Sequence, residues 1–176
     1  MSERVFRKLR VSLTRSCNFG CVYCAADGKA VRDPQITPPE QFMRWIEDIA
    51  TAAAISKIRL TGGEPTLYPH LLELVAALKT RTKARVYLTT NGHRLRELAA
   101  PLKDAGLDGV NISLDAIEPE VFRAMGGRNY AAVIQGVHDA VDAGAQHGAH
   151  AFRQIGLGGA LQPGGDLLAQ VGEGLS

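Results

Sequence analysis

Alternating apolar and polar residues mark four short segments of the chain as β-strands with one apolar face. The segments are Leu9–Leu13, Lys57–Thr61, Arg85–Thr90 and Gly109–Leu114. In each segment aliphatic residues alternate with charged, hydroxyl or amide side chains. Parallel strands that are buried on both faces usually form continuous apolar runs, so this sheet should have one distinctly polar face.

Apolar residues recur at helical spacing between and after these strands. The predicted helices are Pro39–Ala54, Leu71–Thr80, Leu95–Ala105, Pro119–Met125 and Tyr130–Ala143. Thr37 is a candidate N-cap for the first helix, and Gly106 should end the third. Strands that alternate with helices indicate an α/β fold with a parallel sheet and right-handed crossovers. We expect about four parallel strands curved around a polar, ligand-filled lumen. The alternative is an antiparallel fold whose polar sheet face is exposed to solvent.

The character of the sequence changes after Gly144. Residues 145–176 contain eight glycines and no clear strand, although a fifth strand would be expected soon after Gly144. We therefore predict a truncated core over residues 1–144 and an irregular Gly-rich tail over residues 145–176.

Composition and charge exclude several functional classes. The chain is 45% hydrophobic and 22% charged, as is ordinary for a globular protein, and a formal net charge of +2 is too small to favour nucleic acid or an anionic membrane. The first ten residues contain no apolar leader, and no stretch is long enough to span a bilayer. We expect a cytoplasmic protein.

All three cysteines of the chain, Cys17, Cys21 and Cys24, follow the first strand with Cys-x3-Cys-x2-Cys spacing. Three thiolates can ligate three irons of one [4Fe–4S] cluster and leave the fourth iron open, since the chain has no fourth cysteine. S-adenosylmethionine can chelate that iron through its amino and carboxylate groups, and an electron from the cluster then cleaves a C–S bond to give a 5′-deoxyadenosyl radical. A structural zinc site, with His70 or His93 as the fourth ligand, is the alternative that spacing leaves open.

Three further motifs follow the next three strands: Thr61-Gly-Gly-Glu-Pro65, Thr89-Thr-Asn-Gly92 and Ser113-Leu-Asp115. Each alone could be an ordinary turn or a helix cap. The carboxyl ends of parallel strands meet at one rim, where barrel enzymes build their active sites. We therefore expect the three motifs to complete the cofactor site that the cysteines begin.

These motifs together resemble the radical S-adenosylmethionine superfamily, whose hallmark is Cys-x3-Cys-x2-Cys followed by a Gly-Gly-Glu turn. Residues 4–144 resemble the GTP 3′,8-cyclases, which begin molybdenum cofactor biosynthesis. The resemblance rests on the cysteine motif with the strand before it, and on Ile58–Pro65, Leu88–Gly92 and Val110–Ala116. It implies a partial (β/α) barrel with a [4Fe–4S] cluster and S-adenosylmethionine as cofactors.

The resemblance also implies residue roles. Cys17, Cys21 and Cys24 would ligate the cluster and thereby carry catalysis. The residues implied for S-adenosylmethionine are Tyr23, Gly62, Gly63, Glu64, Asn91 and Ser113. The residues implied for GTP are Arg10, Arg59 and Thr89, which also lie on the polar strand faces. A guanidinium suits a phosphate or a purine edge. An ion pair with Glu64 or Asp115 inside the lumen is the alternative role for these arginines.

The cyclase family differs from this chain in length. Its members are about twice as long and carry a second three-cysteine cluster in the C-terminal half. We expect an interrupted cyclase that keeps the cofactor half of the site. A radical enzyme acting on a peptide or a tetrapyrrole, and a non-catalytic fragment that binds cluster and cofactor, are the alternatives. The open sheet edge should favour a second copy or a partner chain.

Overall fold

The computed structural model describes residues 6–24, 31–142 and 146–147. Its strands form a single parallel sheet in the order β1-β2-β3-β4-β5. The strands are β1 (Lys8–Ser12), β2 (Lys57–Thr61), β3 (Arg85–Thr90), β4 (Gly109–Ile112) and β5 (Gln146–His147). The predicted α/β class and parallel pairing are confirmed, which excludes the antiparallel alternative.

Helices connect the strands as expected. They are α1 (Pro39–Ala52), α2 (Leu71–Arg81), α3 (Leu95–Asp104), α4 (Pro119–Ala124) and α5 (Tyr130–Asp142), with a 3₁₀ turn at Pro65–Leu67. Gly106 ends α3 in a left-handed conformation (φ +93°), as predicted. The prediction of Thr37 as the N-cap of α1 is wrong: Pro38 occupies that position without a side-chain cap, and the fixed φ of the prolines starts the helix. Within the described residues, no helix has the length and apolarity to cross a membrane.

The expectation that no fifth strand follows Gly144 is wrong. Gln146 and His147 pair in parallel with Gly109 and Val110 of β4. Two residues are too few to display a period-two pattern, so no periodicity predicts this strand. The remainder of the predicted tail lies outside the described residues, and the domain boundary at residue 144 stays a prediction.

The two faces of the sheet have opposite character, and strand register aligns them. Ile58 pairs with Val86, and Leu60 pairs with Leu88, on the face that the helices cover. This face and the inner sides of α1, α2, α3 and α5 form the main core. The opposite face carries the polar strand residues, which are therefore held side by side in rows.

A second, smaller core lies under the cysteine loop. Its buried members are Phe19, Leu114, Ala116, Phe122, Val133 and Ile134. They come from the cysteine loop, the end of β4, α4 and α5, and the two partly buried cysteines Cys17 and Cys21 pack against them. The cysteine loop is thus packed against a body of its own, separate from the main core.

Candidate cofactor site

The cysteine loop begins directly after β1 and runs from Cys17 to Cys24. The Cys17 amide donates to the Val31 carbonyl at 2.8 Å, and the Cys24 amide donates to the Cys21 carbonyl at 2.9 Å. Cys17 and Cys21 are half-buried, whereas Cys24 is exposed. The loop therefore places its three thiols at the boundary between the second core and solvent.

The thiols influence one another electrostatically. Burial raises the pKa of Cys17, and the charges of Glu64 and Cys24 raise it further. Burial also raises the pKa of Cys21, with further contributions from Asp115, Cys17 and Cys24. Because thiolates are the metal-binding form, ligation must release protons from these groups.

The donor set fits an iron–sulfur cluster better than a zinc ion. Among the described residues, no three His, Cys, Asp or Glu side chains are arranged to hold a single metal ion. His70 is bonded to Glu73 at 3.2 Å on the surface, and the His93 ring packs edge-on against Phe19 with centroids 5.9 Å apart. Among the described residues neither histidine forms a metal-binding group with the cysteines, whereas a structural zinc site needs a fourth ligand. Three cysteines on one loop suit a cluster whose fourth iron stays open.

The Gly-Gly pair after β2 lies against the backbone that leaves β1. A Cβ on Gly62 would meet the Thr14 carbonyl oxygen at 2.5 Å, and a Cβ on Gly63 would meet the Ser16 carbonyl oxygen at 2.4 Å. The amide of Gly63 donates to the Thr14 carbonyl at 2.8 Å. Glycine is required here because two strand-end loops approach each other closely. The sequence-based reason, approach to a ligand, is not needed to explain it.

Glu64 is a buried connector between β2 and β3, with only 1% of its surface exposed. One carboxylate oxygen accepts from the Thr66 amide and hydroxyl, at 3.0 and 2.6 Å, and from the Thr90 hydroxyl at 2.7 Å. The other accepts from the Asn91 amide at 2.7 Å. These bonds occupy both oxygens of a residue that we expected to bind cofactor. Its side chain holds the two strand-end loops together, and its contact with the cofactor stays a prediction.

Asn91 extends this connection to the cysteine loop. Its side-chain amide donates to the Asn18 side-chain oxygen at 2.8 Å, and its own oxygen accepts from the His93 amide at 3.1 Å. The Asn91 prediction came from its position after β3, whereas Asn18 was missed. Asn18 lies between two cysteines, and nothing in the sequence indicates its partner.

The end of β4 contacts the cysteine loop through Asp115. The Tyr23 hydroxyl donates to the Asp115 carboxylate at 2.5 Å, and the Cys21 sulfur lies 4.0 Å from the same oxygen. Burial raises the pKa of Asp115 and also that of Tyr23. The neighbouring Ser113 amide donates to the Thr90 carbonyl at 2.8 Å, which aligns the β3 and β4 ends. The four predicted motifs are therefore neighbours on one rim.

Replacing Tyr23 with phenylalanine should lower the free energy of unfolding of the metal-free chain by about 1 kcal/mol, because the bond to Asp115 is lost at a partly exposed position. Urea denaturation measures the change. Tyr87→Phe is the control, since the tyrosine hydroxyls that form hydrogen bonds among the described residues are those of Tyr23, Tyr68 and Tyr130. Equal stability of the two variants would contradict a role for the Tyr23–Asp115 bond.

The three residues predicted for GTP lie on the polar face of the sheet. Arg10 and Arg59 are paired in register across β1 and β2, and Thr89 is paired with Asn111 across β3 and β4. The Asn111 amide is assigned with its oxygen toward Arg59, where it accepts from two guanidinium nitrogens at 2.9 and 2.6 Å. Among the described ion pairs none joins Arg10 or Arg59 to Glu64 or Asp115, so the alternative ion-pair role is not observed.

A row of cations on the same face was missed by the sequence reasoning. Lys8, Lys57 and Arg85 are in register at the starts of β1, β2 and β3. The Lys57 ammonium lies 3.9 Å from the centre of the Tyr87 ring. Partial burial lowers the pKa of Lys57, and the positive charges of its neighbours Arg59, Arg85 and Lys8 lower it further. The sequence does contain this pattern, because each of the three strands begins with a basic residue.

Comparisons with known proteins agree with this geometry. The family model of the radical SAM superfamily matches residues 11–158. A GTP 3′,8-cyclase of Streptomyces coelicolor is 42% identical over 147 residues, covering 80% of this chain and 42% of that protein. A Thermococcus kodakarensis protein of the same name, qualified as probable, is 41% identical over 139 residues, covering 78% of this chain and 45% of that protein. The chain thus spans about half the length of these curated relatives.

Solved structures show the same fold at lower identity. SuiB of Streptococcus suis, bound to S-adenosylmethionine, superposes with a TM-score of 0.68 at 19% identity, covering 86% of this chain and 35% of that one. Native anSMEcpe with bound AdoMet gives a TM-score of 0.65 at 19% identity, covering 81% of this chain and 43% of that one. The strand-end site, the family match and the relatives agree, and the chain belongs to the radical SAM superfamily.

Proposed function

We propose that the cysteine loop holds one [4Fe–4S] cluster and that the chain uses it to cleave S-adenosylmethionine. The observation that carries this proposal is the set of hydrogen bonds that joins the cysteine loop to the neighbouring strand ends. The loop with the three thiols is bonded to the β3 end through Asn18 and Asn91, and to the β4 end through Tyr23 and Asp115. When bound, the cluster supplies the electron that breaks the sulfonium C–S bond.

The residues of the chain bind and orient in this proposal. Cys17, Cys21 and Cys24 ligate three irons. Main-chain groups of the turn after β2 and of the end of β4 bind the cofactor, since the Glu64 carboxylate is occupied internally. Reduced cysteines and an iron–sulfur site suit the cytoplasm, where thiols are kept reduced.

Incubation of the reconstituted, dithionite-reduced protein with S-adenosylmethionine tests the proposal. We expect 5′-deoxyadenosine and methionine as products, measured by liquid chromatography. A chain that binds iron but releases neither product would be a non-catalytic binding fragment, and the proposal of cofactor cleavage would fail.

GTP is the ligand that the polar face supports best, as we expect of a chain that resembles the cofactor half of the GTP 3′,8-cyclases. Lys8, Arg10, Lys57, Arg59 and Arg85 project from neighbouring strands, and none of them is in an ion pair among the described residues. Such an excess of positive charge suits a triphosphate. Among the described residues the buried Thr89 hydroxyl on this face has no hydrogen-bond partner.

Replacing Lys57 with alanine should weaken GTP binding about tenfold, since one charge-assisted contact to phosphate is lost. Guanosine binding should change little, because the nucleoside has no phosphate. Isothermal titration with both ligands measures the difference. Lys103→Ala, which removes an exposed lysine from the outer surface of α3, is the control. Equal losses of affinity for GTP and guanosine would contradict phosphate binding by the cations on the polar face.

A further inference from the structure

The turn between α4 and α5 lies outside all of the predicted motifs. Helix α4 ends in a Schellman motif centred on Gly126, whose φ is +92°. The Gly127 amide donates to the Phe122 carbonyl at 3.0 Å, and the Gly126 amide donates to the Arg123 carbonyl at 3.0 Å. This arrangement turns the carbonyls of Met125 and Gly126 away from the helix and leaves them free to accept other donors.

The cysteine loop supplies those donors. The Gly20 amide donates to the Gly126 carbonyl at 3.2 Å, and the Val22 amide donates to the Met125 carbonyl at 3.1 Å. These two amides belong to the residues on either side of Cys21. The middle cysteine of the motif is therefore held from both sides by the end of α4.

The approach of the two backbones leaves no room for a side chain. A Cβ on Gly126 would lie 2.1 Å from the Gly20 carbonyl oxygen and 2.8 Å from the Cys21 Cα. Both are backbone atoms, so no rotation of a flexible side chain could relieve the clash. Glycine is needed at this position for its conformation and for its small size.

Aromatic packing joins the same two segments. The Phe122 ring of α4 meets the Phe19 ring of the cysteine loop edge-on, with centroids 5.8 Å apart, and both side chains are at most 3% exposed. Phe122 also packs against Tyr130 at the start of α5. The contact buries the middle of the cysteine loop in the second core.

We infer that the C-terminal end of α4, residues 122–127, is a positioning element for the cluster, with Gly126 as its central residue. It holds the Cys21 segment of the loop in one geometry before any ligand binds. The loop therefore does not have to change from a disordered to an ordered state when the thiols bind the cluster. Residues that orient metal ligands influence metal retention without touching the metal. This inference rests on the proposed cluster site.

Gly126→Ala tests the inference, with Gly106→Ala as a closely matched control. Gly106 has nearly the same conformation, with φ +93°, but a Cβ there would meet only the flexible Lys79 side chain, at 3.0 Å. Both variants therefore carry the same backbone strain at a helix end. Only Gly126→Ala pushes on the cysteine loop.

Three readouts distinguish positioning from stability. After anaerobic reconstitution, Gly126→Ala should lose iron to a chelator about tenfold faster than Gly106→Ala. Thermal unfolding of the two metal-free variants measures how much each substitution destabilises the fold. In the metal-free chain, iodoacetamide should alkylate Cys21 faster in Gly126→Ala than in Gly106→Ala, as followed by mass spectrometry. Equal iron loss and equal alkylation in the two variants would overturn the inference.

Phe122→Leu and Phe42→Leu decide the question if Gly126→Ala does not fold. Both residues are buried phenylalanines with two edge-on aromatic neighbours, but Phe42 belongs to the main core. Phe122→Leu should lose iron faster and expose Cys21 more than Phe42→Leu does, and equal behaviour would overturn the inference. Wild-type protein that binds no iron would instead refute the proposed function, and the alkylation comparison would still test the positioning.

Discussion

Alanine in place of Cys21 is expected to reduce the iron retained after reconstitution to background and to abolish formation of 5′-deoxyadenosine. Two thiolates remain, and the chain has no other cysteine to replace the lost ligand. The thiol is half-buried at the edge of the second core, so its removal should lower the free energy of unfolding by only about 1 kcal/mol. Iron analysis, product chromatography and urea denaturation measure the three quantities.

Val22→Ala is the control for that variant. Val22 neighbours Cys21 on the same loop, and 62% of its surface is exposed, so its truncation should leave iron content and product formation unchanged. Retention of a full cluster by Cys21→Ala would show that the ligands lie elsewhere. A large loss of stability in the same variant would indicate a structural role for the thiol.

Glutamine in place of Glu64 should produce the largest loss of stability, about 3 kcal/mol. The two carboxylate oxygens accept four hydrogen bonds in a buried position, from Thr66, Thr90 and Asn91. An amide has only one oxygen, so its NH₂ group must face donors in either orientation. The loops after β2 and β3 should separate, and affinity for S-adenosylmethionine should fall with the loss of stability.

Glu97→Gln provides the matched control, because it makes the same change on an exposed carboxylate of α3. Its free energy of unfolding should change by less than about 0.5 kcal/mol. Urea denaturation of both variants gives the comparison. Similar small changes in both would contradict the assignment of Glu64 as the connector between the strand ends.

Most of the fold could be predicted because strand and helix periods are local properties of the sequence. The strand alternation in Lys57–Thr61 and Arg85–Thr90 predicted those elements with the bounds that they have in the structure. The strand at Gln146–His147 could not be predicted, since it is defined only by its pairing with β4. The start of α1 at Pro39 was predicted correctly, but its N-cap was misplaced by one residue, because a proline without a capping side chain occupies that position.

The site was predicted as a set of motifs, but not as a set of contacts. Strand topology alone brings Cys17, Gly63, Asn91 and Ser113 to one rim. The internal role of the Glu64 carboxylate could not be predicted, because it depends on where Thr90 lies across the sheet. The support that α4 gives to the cysteine loop depends likewise on contacts between residues about a hundred positions apart.

The row of cations on the polar face could be predicted only in part. Lys8, Lys57 and Arg85 each stand at the start of a strand, so the sequence contained the pattern. Recognising the row required the register of three parallel strands, which aligns these side chains on neighbouring positions. Alternation assigns a residue to a face, whereas register assigns it a neighbour.

The central claim is that the three cysteines hold one cluster with an open iron for S-adenosylmethionine. Anaerobic reconstitution with iron and sulfide, followed by metal and sulfide analysis and by electron paramagnetic resonance of the reduced protein, tests it most directly. We expect about four irons and four sulfides per chain, with a spectrum that changes when S-adenosylmethionine is added. About one zinc per chain without sulfide, about eight irons, or a spectrum that S-adenosylmethionine leaves unchanged would contradict the claim.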